Sequence, residues 1–478
     1  MMTEGVVKTK KLSLFSKVGY GFGTAPDSIP YTLFLTYFVF YLTDVAGVSA
    51  GVAGTIAAMA TFINAIIAPF IGFISDNSRN PKGRRIPMMG KALIASAIIM
   101  LALFVPVDFG GAKVAYYLVV SVLFWVIYTA WCVPYYALGA EMTDDYDDRN
   151  TLITIKGVFA YPVCMIAQSG SIAVVGICAA KGMSMQNAWF IASIVMMACI
   201  VILAAVTLIT CKGKELAPKL DDDAPKAKFN PKEFLVDYKD LFMVKACRKV
   251  YIYNIIFCIG YGIAQTTVVY ALVYNAGMSE AQQASFWGIN TILCVIGLPI
   301  VLAVANKWDK KYACILFLIL SSVWNIAFAF IGLDSYIKMV IFSGSIAFSC
   351  SAFFGIYYSM LYDTIEVADL KLGERKEGSI TSLSILCQTL GTAIGTTAAG
   401  WLLQAIGYTG AGEESASTIT GLLYVVTIAP SVFILGGLVF IFTHNITRER
   451  HEEIKKLIAA RDAGEVVDIE PFRDLMGR

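Results

Sequence analysis

The chain has 478 residues, 58% of them hydrophobic and 15% charged, and its 37 Lys and Arg nearly cancel its 35 Asp and Glu to leave a formal net charge of +2. That balance has too little polar surface to wrap one soluble core and offers no basic footing for nucleic acid, so neither a soluble enzyme nor a nucleic-acid binder fits. The 11 cysteines stand singly without C-x-x-C spacing, as small apolar packing residues do, so no disulfide framework and no metal site is expected.

In chain order, apolar runs long enough to cross a bilayer, about 20 residues each, fall at 18–42, 50–75, 87–107, 113–142, 151–179, 186–210, 249–275, 284–306, 312–332, 337–362, 379–405 and 419–443. We number them spans 1 to 12. Lys8, Lys10, Lys11 and Lys17 precede span 1, which is too long for a signal peptide and lacks an A-x-A-like cleavage site, so it reads as a retained helix. Only Lys113, Lys181 and Lys338 lie in the loops that would face outward. The positive-inside bias therefore predicts both termini in the cytoplasm, with about 12 crossings of the plasma membrane. The expected class is an all-α membrane protein: a six-helix bundle over 1–210, a cytoplasmic linker over 211–248, a second bundle over 249–445 and a cytoplasmic tail over 446–478. Lys212, Lys214, Pro218, Asp221-Asp222-Asp223, Pro225 and Pro231 break the periodicity of the linker. In the tail, Ile454, Leu457 and Ile458 stripe a charged segment from Arg448 to Arg461, predicting a surface helix.

The two halves echo each other, as parallel repeats in transporters do. After span 2 the chain carries Asp76, Arg79, Lys82, Arg84 and Arg85; after span 8 it carries Lys307, Asp309, Lys310 and Lys311. After span 4, Glu141 leads into Asp144-Asp145-Tyr146-Asp147-Asp148-Arg149; after span 10, Asp363 leads into Glu366, Asp369, Lys371, Glu374 and Arg375. Acids at helix ends beside basic clusters can lock helices in one conformation and release them in another, so Asp76, Arg84, Arg85, Glu141, Arg149, Asp363 and Arg375 are candidate gates. The alternative is a set of solvated charges obeying only the positive-inside rule.

Ionisable groups inside the spans are few, and their cost in hydrocarbon makes them markers of a pathway. Asp27 sits near mid-depth in Pro26-Asp27-Ser28-Ile29-Pro30, where two prolines predict a broken helix, a favoured place for a substrate or ion. Lys156 in span 5 is its expected partner, unless it snorkels to the interface. Aromatic residues cluster at mirror positions: Tyr128, Trp131, Tyr135 and Tyr136 in span 4, and Phe353, Phe354, Tyr357 and Tyr358 in span 10. Their rings suit stacking on sugars or amphipathic ligands as well as packing between helices. Gly19/Gly23 and Gly391/Gly395 read as close helix contacts.

The stretches Gly19-Tyr20-Gly21-Phe22-Gly23, Phe40-Tyr41-Leu42-Thr43-Asp44-Val45-Ala46-Gly47, Pro69 to Asp76, Asp147-Asp148-Arg149-Asn150 and Gln388-Thr389-Leu390-Gly391 together resemble the glycoside–pentoside–hexuronide:cation symporter family of the major facilitator superfamily. The resemblance runs from span 1 to span 12. It implies two six-helix bundles rocking about a central cavity, and sugar uptake driven by sodium, lithium or protons. At the positions where melibiose-type relatives carry two cation-binding aspartates in span 2, this chain has Asn64 and Ala68; a third carboxylate, in span 4, is Cys132. The sugar-gripping aspartate position is Ser28, one residue after Asp27; the span 5 arginine position is Gly157, one after Lys156; the span 11 lysine is Thr389.

Sodium wants oxygen ligands with at least one carboxylate, so a melibiose-type sodium site is disfavoured and no cofactor is expected beyond a coupling proton. Both histidines, His444 and His451, lie beyond span 12 on the cytoplasmic side, leaving Asp27 as the mid-membrane group that could titrate. The leading expectation is a monomeric secondary transporter of a small polar solute: a sugar, glycoside or uronic acid. Asp27, Ser28, Tyr31, Asn64, Trp131, Cys132, Tyr135, Tyr136, Lys156, Phe354, Tyr358 and Thr389 are its candidate binding residues. Two alternatives stay open: transport of an amphipathic or aromatic carboxylate, and lysolipid translocation. No G-x-x-x-x-G-K-[ST] loop or nucleophile–base set supports an enzyme.

Overall fold

A computed structural model describes residues 12–106, 108, 110–143, 146–215, 231–410, 412, 414–463 and 465–477. Every regular element among them is helical. In order these are α1 (Leu14–Phe22), α2 (Ala25–Leu33), α3 (Ala50–Asp76), α4 (Ile86–Leu103), α5 (Lys113–Glu141), α6 (Tyr146–Met165), α7 (Ser171–Ala180), α8 (Met185–Thr210), α9 (Pro231–Met243), α10 (Lys245–Tyr270), α11 (Glu280–Trp308), α12 (Lys310–Ile331), α13 (Tyr336–Leu372), α14 (Glu377–Ala405), α15 (Ala416–Phe442), α16 (Arg448–Asp462) and α17 (Arg473–Met476).

Ten helices among the described residues are long and apolar enough to cross a membrane. Spans 1 and 11 are the two predicted crossings outside that set. Span 1 is broken: α1 stops at Phe22, α2 begins at Ala25, and two wide i→i+5 turns, Phe34–Phe38 and Tyr41–Val45, carry the chain onward. The break falls just before the Pro26–Pro30 stretch rather than inside it, because Pro26 is tolerated in the first turn of α2. Pro30 is the interior proline that removes a backbone bond. Span 11 forms an unbroken α14, but its Ser, Thr and Gly content dilutes its hydropathy.

The described residues form two compact units, one of Met1–Tyr41 with Met59–Phe229 and one of Leu42–Ala58 with Asn230–Arg478. The end of span 1 and the start of α3 thus belong with the second unit. The linker residues Pro218, Asp221 to Asp223 and Pro225 lie outside the described residues, whereas Pro231 opens α9, a helix that the charge-rich sequence had concealed.

In the second unit α10 and α14 touch backbone to backbone. A methyl group built on Gly391 would meet the Ile255 carbonyl oxygen at 2.5 Å, and one on Gly395 would run into the Ile259 carbonyl oxygen, so glycine is what allows this approach. Beside them Phe257 stacks on Phe353 with ring centres 3.7 Å apart. The tail joins the same core: Ile454 of α16 is fully buried, Leu457 and Ile458 pack against it, and Phe472, Leu475 and Met476, in and just before α17, belong to it as well.

Candidate functional site

In the first unit the site is built around Asp27. Its place in the first turn of α2 sets the carboxylate near the positive end of that helix. Tyr128, Cys132 and Tyr136 recur every four residues along α5 and therefore share one face. All three aim at the same oxygen: Tyr136 and Tyr128 hydroxyls donate to Asp27 Oδ1 at 2.7 and 3.0 Å, and the Cys132 thiol at 3.4 Å. Lys156 Nζ, from α6, stands 4.0 Å from Asp27 Oδ2 and 3.7 Å from the centre of the Tyr136 ring. The pair is loose, and the lysine side chain keeps 30% of its exposure. One carboxylate, one ammonium and an aromatic face are thus available to one ligand, enough to hold hydroxyls or an anionic group.

The surrounding aromatic residues fix this group. Trp131 Nε1 donates to the Gly23 carbonyl at 3.3 Å, and the Tyr135 hydroxyl donates to the Tyr20 carbonyl at 2.9 Å, so both tie α5 to the break in span 1. Tyr31 lies against Tyr128 with centroids 6.3 Å apart. Ser28 turns away from Asp27, toward Cys164. Asn64 uses its side-chain oxygen to accept from Thr129. Tyr128 was not among the residues expected to bind substrate; its signal was the four-residue spacing it shares with Cys132 and Tyr136.

The remaining candidates belong to the second unit. The Tyr358 hydroxyl donates to Gln388 Oε1 at 3.3 Å, Phe354 meets Tyr261 edge to face at 5.7 Å, and the Thr389 hydroxyl bonds back to the Ile385 carbonyl of its own helix at 2.9 Å.

Four gate candidates of the first unit, Asp76, Arg84, Arg85 and Glu141, meet in one knot. Arg85, only 4% exposed, reaches Asp76 Oδ1 and Glu141 Oε1, each at 2.5 Å, and the Ser75 hydroxyl at 2.6 Å. Arg84 contacts Glu141 at 3.2 Å. Glu215, which the sequence reading passed over, caps the start of α4 by accepting from the backbone N–H of Arg84, Arg85 and Ile86. Arg149 lies in α6, but its side chain is outside the described residues, as are Asp144 and Asp145. In the second unit Asp363 pairs with Lys310 at 2.9 Å, while Arg375 turns to Glu377 at 2.5 Å and Glu366 at 3.9 Å. His451 of the tail reaches Glu366 at 3.3 Å.

A second, half-buried carboxylate was missed altogether. Asp44 accepts from Tyr274, Tyr408 and Thr43 hydroxyls at 2.5, 2.6 and 2.5 Å within the second unit. No local spacing announces it, since its two tyrosine donors lie 230 and 364 residues further along the chain.

Comparison with known proteins agrees with this architecture. Residues 19–448 match the family described as MFS/sugar transport protein. The chain is 25% identical to the uncharacterized symporter YnaJ of Bacillus subtilis over 99% of this chain and 100% of that one. It is 24% identical to the inner membrane symporter YicJ of Escherichia coli, covering 92% and 95%, and 23% identical to the isoprimeverose transporter of Lactiplantibacillus pentosus, covering 85% and 83%. Among solved structures, a bacterial homolog of the human lysosomal transporter Spinster superposes with a TM-score of 0.67 at 13% identity, over 90% of this chain and 95% of that one. A bacterial homologue of the peptide transporters PepT1 and PepT2 gives 0.66 at 11% identity, over 93% and 99%. The fold is that of the major facilitator superfamily, and the protein is a multi-pass membrane transporter rather than an enzyme. By its helices, its motifs and these relatives, the chain belongs to the MFS/sugar transport family, as a member of the glycoside–pentoside–hexuronide:cation symporters.

Proposed function

We propose that this transporter moves a sugar, glycoside or uronic acid by alternating access, with Asp27 and Lys156 gripping the solute. The observation that carries the reading is the Asp27–Lys156 pair at the break in span 1, flanked by two tyrosine hydroxyls and a tyrosine ring. The carboxylate accepts from sugar hydroxyls, the ammonium donates to them or to a uronate, and the rings of Tyr136 and Tyr31 offer flat apolar faces. A relative named for isoprimeverose supports a sugar. Lys and Arg placement supports a cytoplasmic location for both termini.

Coupling does not run through a melibiose-type sodium site in this reading. Span 2 supplies Asn64 and Ala68 in place of two carboxylates, and the Asn64 oxygen already accepts from Thr129. Proton coupling or facilitated transport fits the residues present. A second substrate class, an aromatic or amphipathic carboxylate, is favoured by the placement of the Lys156 ammonium over an aromatic face.

Uptake into proteoliposomes tests both points, using a panel of sugars, uronic acids and aromatic acids under imposed sodium or proton gradients. Asp27→Asn and Lys156→Ala are each expected to cut uptake about ten-fold or more, the scale of one lost charged contact, at unchanged membrane abundance. Normal uptake in both variants removes the pair from the mechanism, and acceleration by sodium alone overturns the view of span 2.

A further inference from the structure

We propose that the corner of the second unit where α10 begins and α11 and α15 end is a binding site for an anionic phospholipid, its phosphate held by Lys249 and Lys311 and an acyl chain lying in the neighbouring groove. The groove is apolar and open, with a volume of roughly 420 Å³, and is lined by Trp308, Tyr312, Ile315, Leu316, Ile319 and Leu320. Trp308 and Tyr312, at its mouth, are 61% and 60% exposed. Large amphipathic rings so exposed at helix ends are what a bilayer interface attracts.

The charge beside the mouth is predominantly positive. Lys307 and Lys311 are the sequence neighbours of Trp308 and Tyr312. Lys311 Nζ donates to the Phe442 carbonyl at 2.8 Å, and Lys249 Nζ donates to the Thr443 carbonyl, so both ammonium groups converge on the end of α15. Lys245, Lys311 and Arg248 act on Lys249 with like charge, and Asp474 opposes them. Among the described residues the acids nearby are already engaged: Asp363 with Lys310, Asp474 with Arg450, and Asp309 with the backbone N–H of Lys311. Lys245, Arg248, Lys249, Lys307 and Lys311 make no carboxylate pair within 4 Å there.

His444, 3% exposed, is packed among these groups. Burial, together with Lys249, Lys311 and Lys310, pushes its imidazole down to about 4. Its Nδ1 has no hydrogen-bond partner. A phosphodiester supplies the missing negative charge, and its acyl chain covers the apolar groove; a free anion would satisfy only the first need and a zwitterionic lipid only the second.

The test uses the full chain purified in a neutral detergent, with binding read by native mass spectrometry and by thermal unfolding. Phosphatidylglycerol is expected to bind at least ten-fold more tightly than phosphatidylcholine and to raise the unfolding midpoint, with inorganic phosphate unable to displace it. In Lys249→Gln/Lys311→Gln the preference is expected to drop by about five-fold per lysine, the scale of one cation near an anionic surface. Lys249→Arg/Lys311→Arg, which keeps the charge, is expected to retain it and guards against misfolding. Equal binding of the two lipids, selectivity unchanged in the glutamine variant, or displacement by inorganic phosphate overturns the proposal. None of these outcomes bears on the Asp27–Lys156 reading, because no transported solute enters the measurement.

Discussion

Asp27 and Asp44 occupy one stretch of chain, and each accepts hydrogen bonds from two tyrosine hydroxyls, yet they belong to different units and are built differently. The donors to Asp27 come from a single helix, and Lys156 stands near enough to offset its charge. The donors to Asp44 come from two distant elements, the wide turn at the end of α10 and the loop after α14, and the acid that acts on it, Glu414, adds like charge. A carboxylate with a half-exposed cation beside it is equipped to meet a ligand. One sealed by hydroxyls alone is equipped to hold chain segments together.

Repeat symmetry sharpens the contrast. Span 1 and α10 both finish in a wide turn, Tyr41–Val45 and Ala271–Asn275, and both then turn at a glycine with positive φ, Gly47 at 68° and Gly277 at 59°. The closing bonds also correspond: Val48 N–H to the Leu42 carbonyl at 2.7 Å and Met278 N–H to the Leu272 carbonyl at 2.9 Å. Asp44 and Tyr274 therefore hold equivalent positions in the two repeats, and they bond to each other. Tyr408 adds a third segment to that contact.

The largest difference is expected in transport itself. Asp27→Ala removes the acceptor on which two hydroxyls and a thiol converge and leaves Lys156 without its partner, so uptake should fall by about 100-fold, within the range for truncating one member of a buried charge pair. Asp44→Ala should lower uptake much less, by about ten-fold, because it loosens a contact rather than a grip. Concentration dependence separates them: Asp27→Ala should weaken apparent substrate affinity, whereas Asp44→Ala should spare it. Equal loss of affinity in both would erase the distinction.

A middle-sized effect is expected from Tyr408→Phe. Losing one hydrogen bond to a charged group costs about 1.5–3 kcal/mol, so amide exchange across Leu42–Ala58 should quicken by about ten-fold or more. Exchange in α2 should stay as it was. Acceleration spread over both regions would show that the tyrosine supports the whole fold rather than this one contact.

These two clusters also mark how far the sequence could be read. Crossings were legible because bilayer thickness imposes one length, and the Asp27 group was partly legible because a proline-flanked acid and a four-residue spacing are local signals. Where the reading stopped, the cause was distance or register. Asp44 draws its donors from far along the chain, and Glu215 caps α4 from beyond α8. Pro26 and Pro30 promised a break between them, but the helix parted at Gly23 and Thr24, where Trp131 and Tyr135 bond to the backbone on α1's side. Ser28, placed by counting, faces Cys164 rather than Asp27, as a turn of about 100° per residue requires. The helix over 231–243 was hidden by charges that give no apolar run.

The smallest predicted effect is expected from Glu414→Gln. The Glu414 carboxylate accepts from the backbone N–H groups of Thr409 and Gly410 and so orders the loop that carries Tyr408. An amide oxygen keeps both acceptor roles, so exchange across Leu42–Ala58 should change by no more than about two-fold, whereas Asp44→Ala quickens it well beyond that. A Glu414→Gln variant that quickens exchange as much as Asp44→Ala would show that the loop, and not the hydroxyl-bound carboxylate, holds the contact.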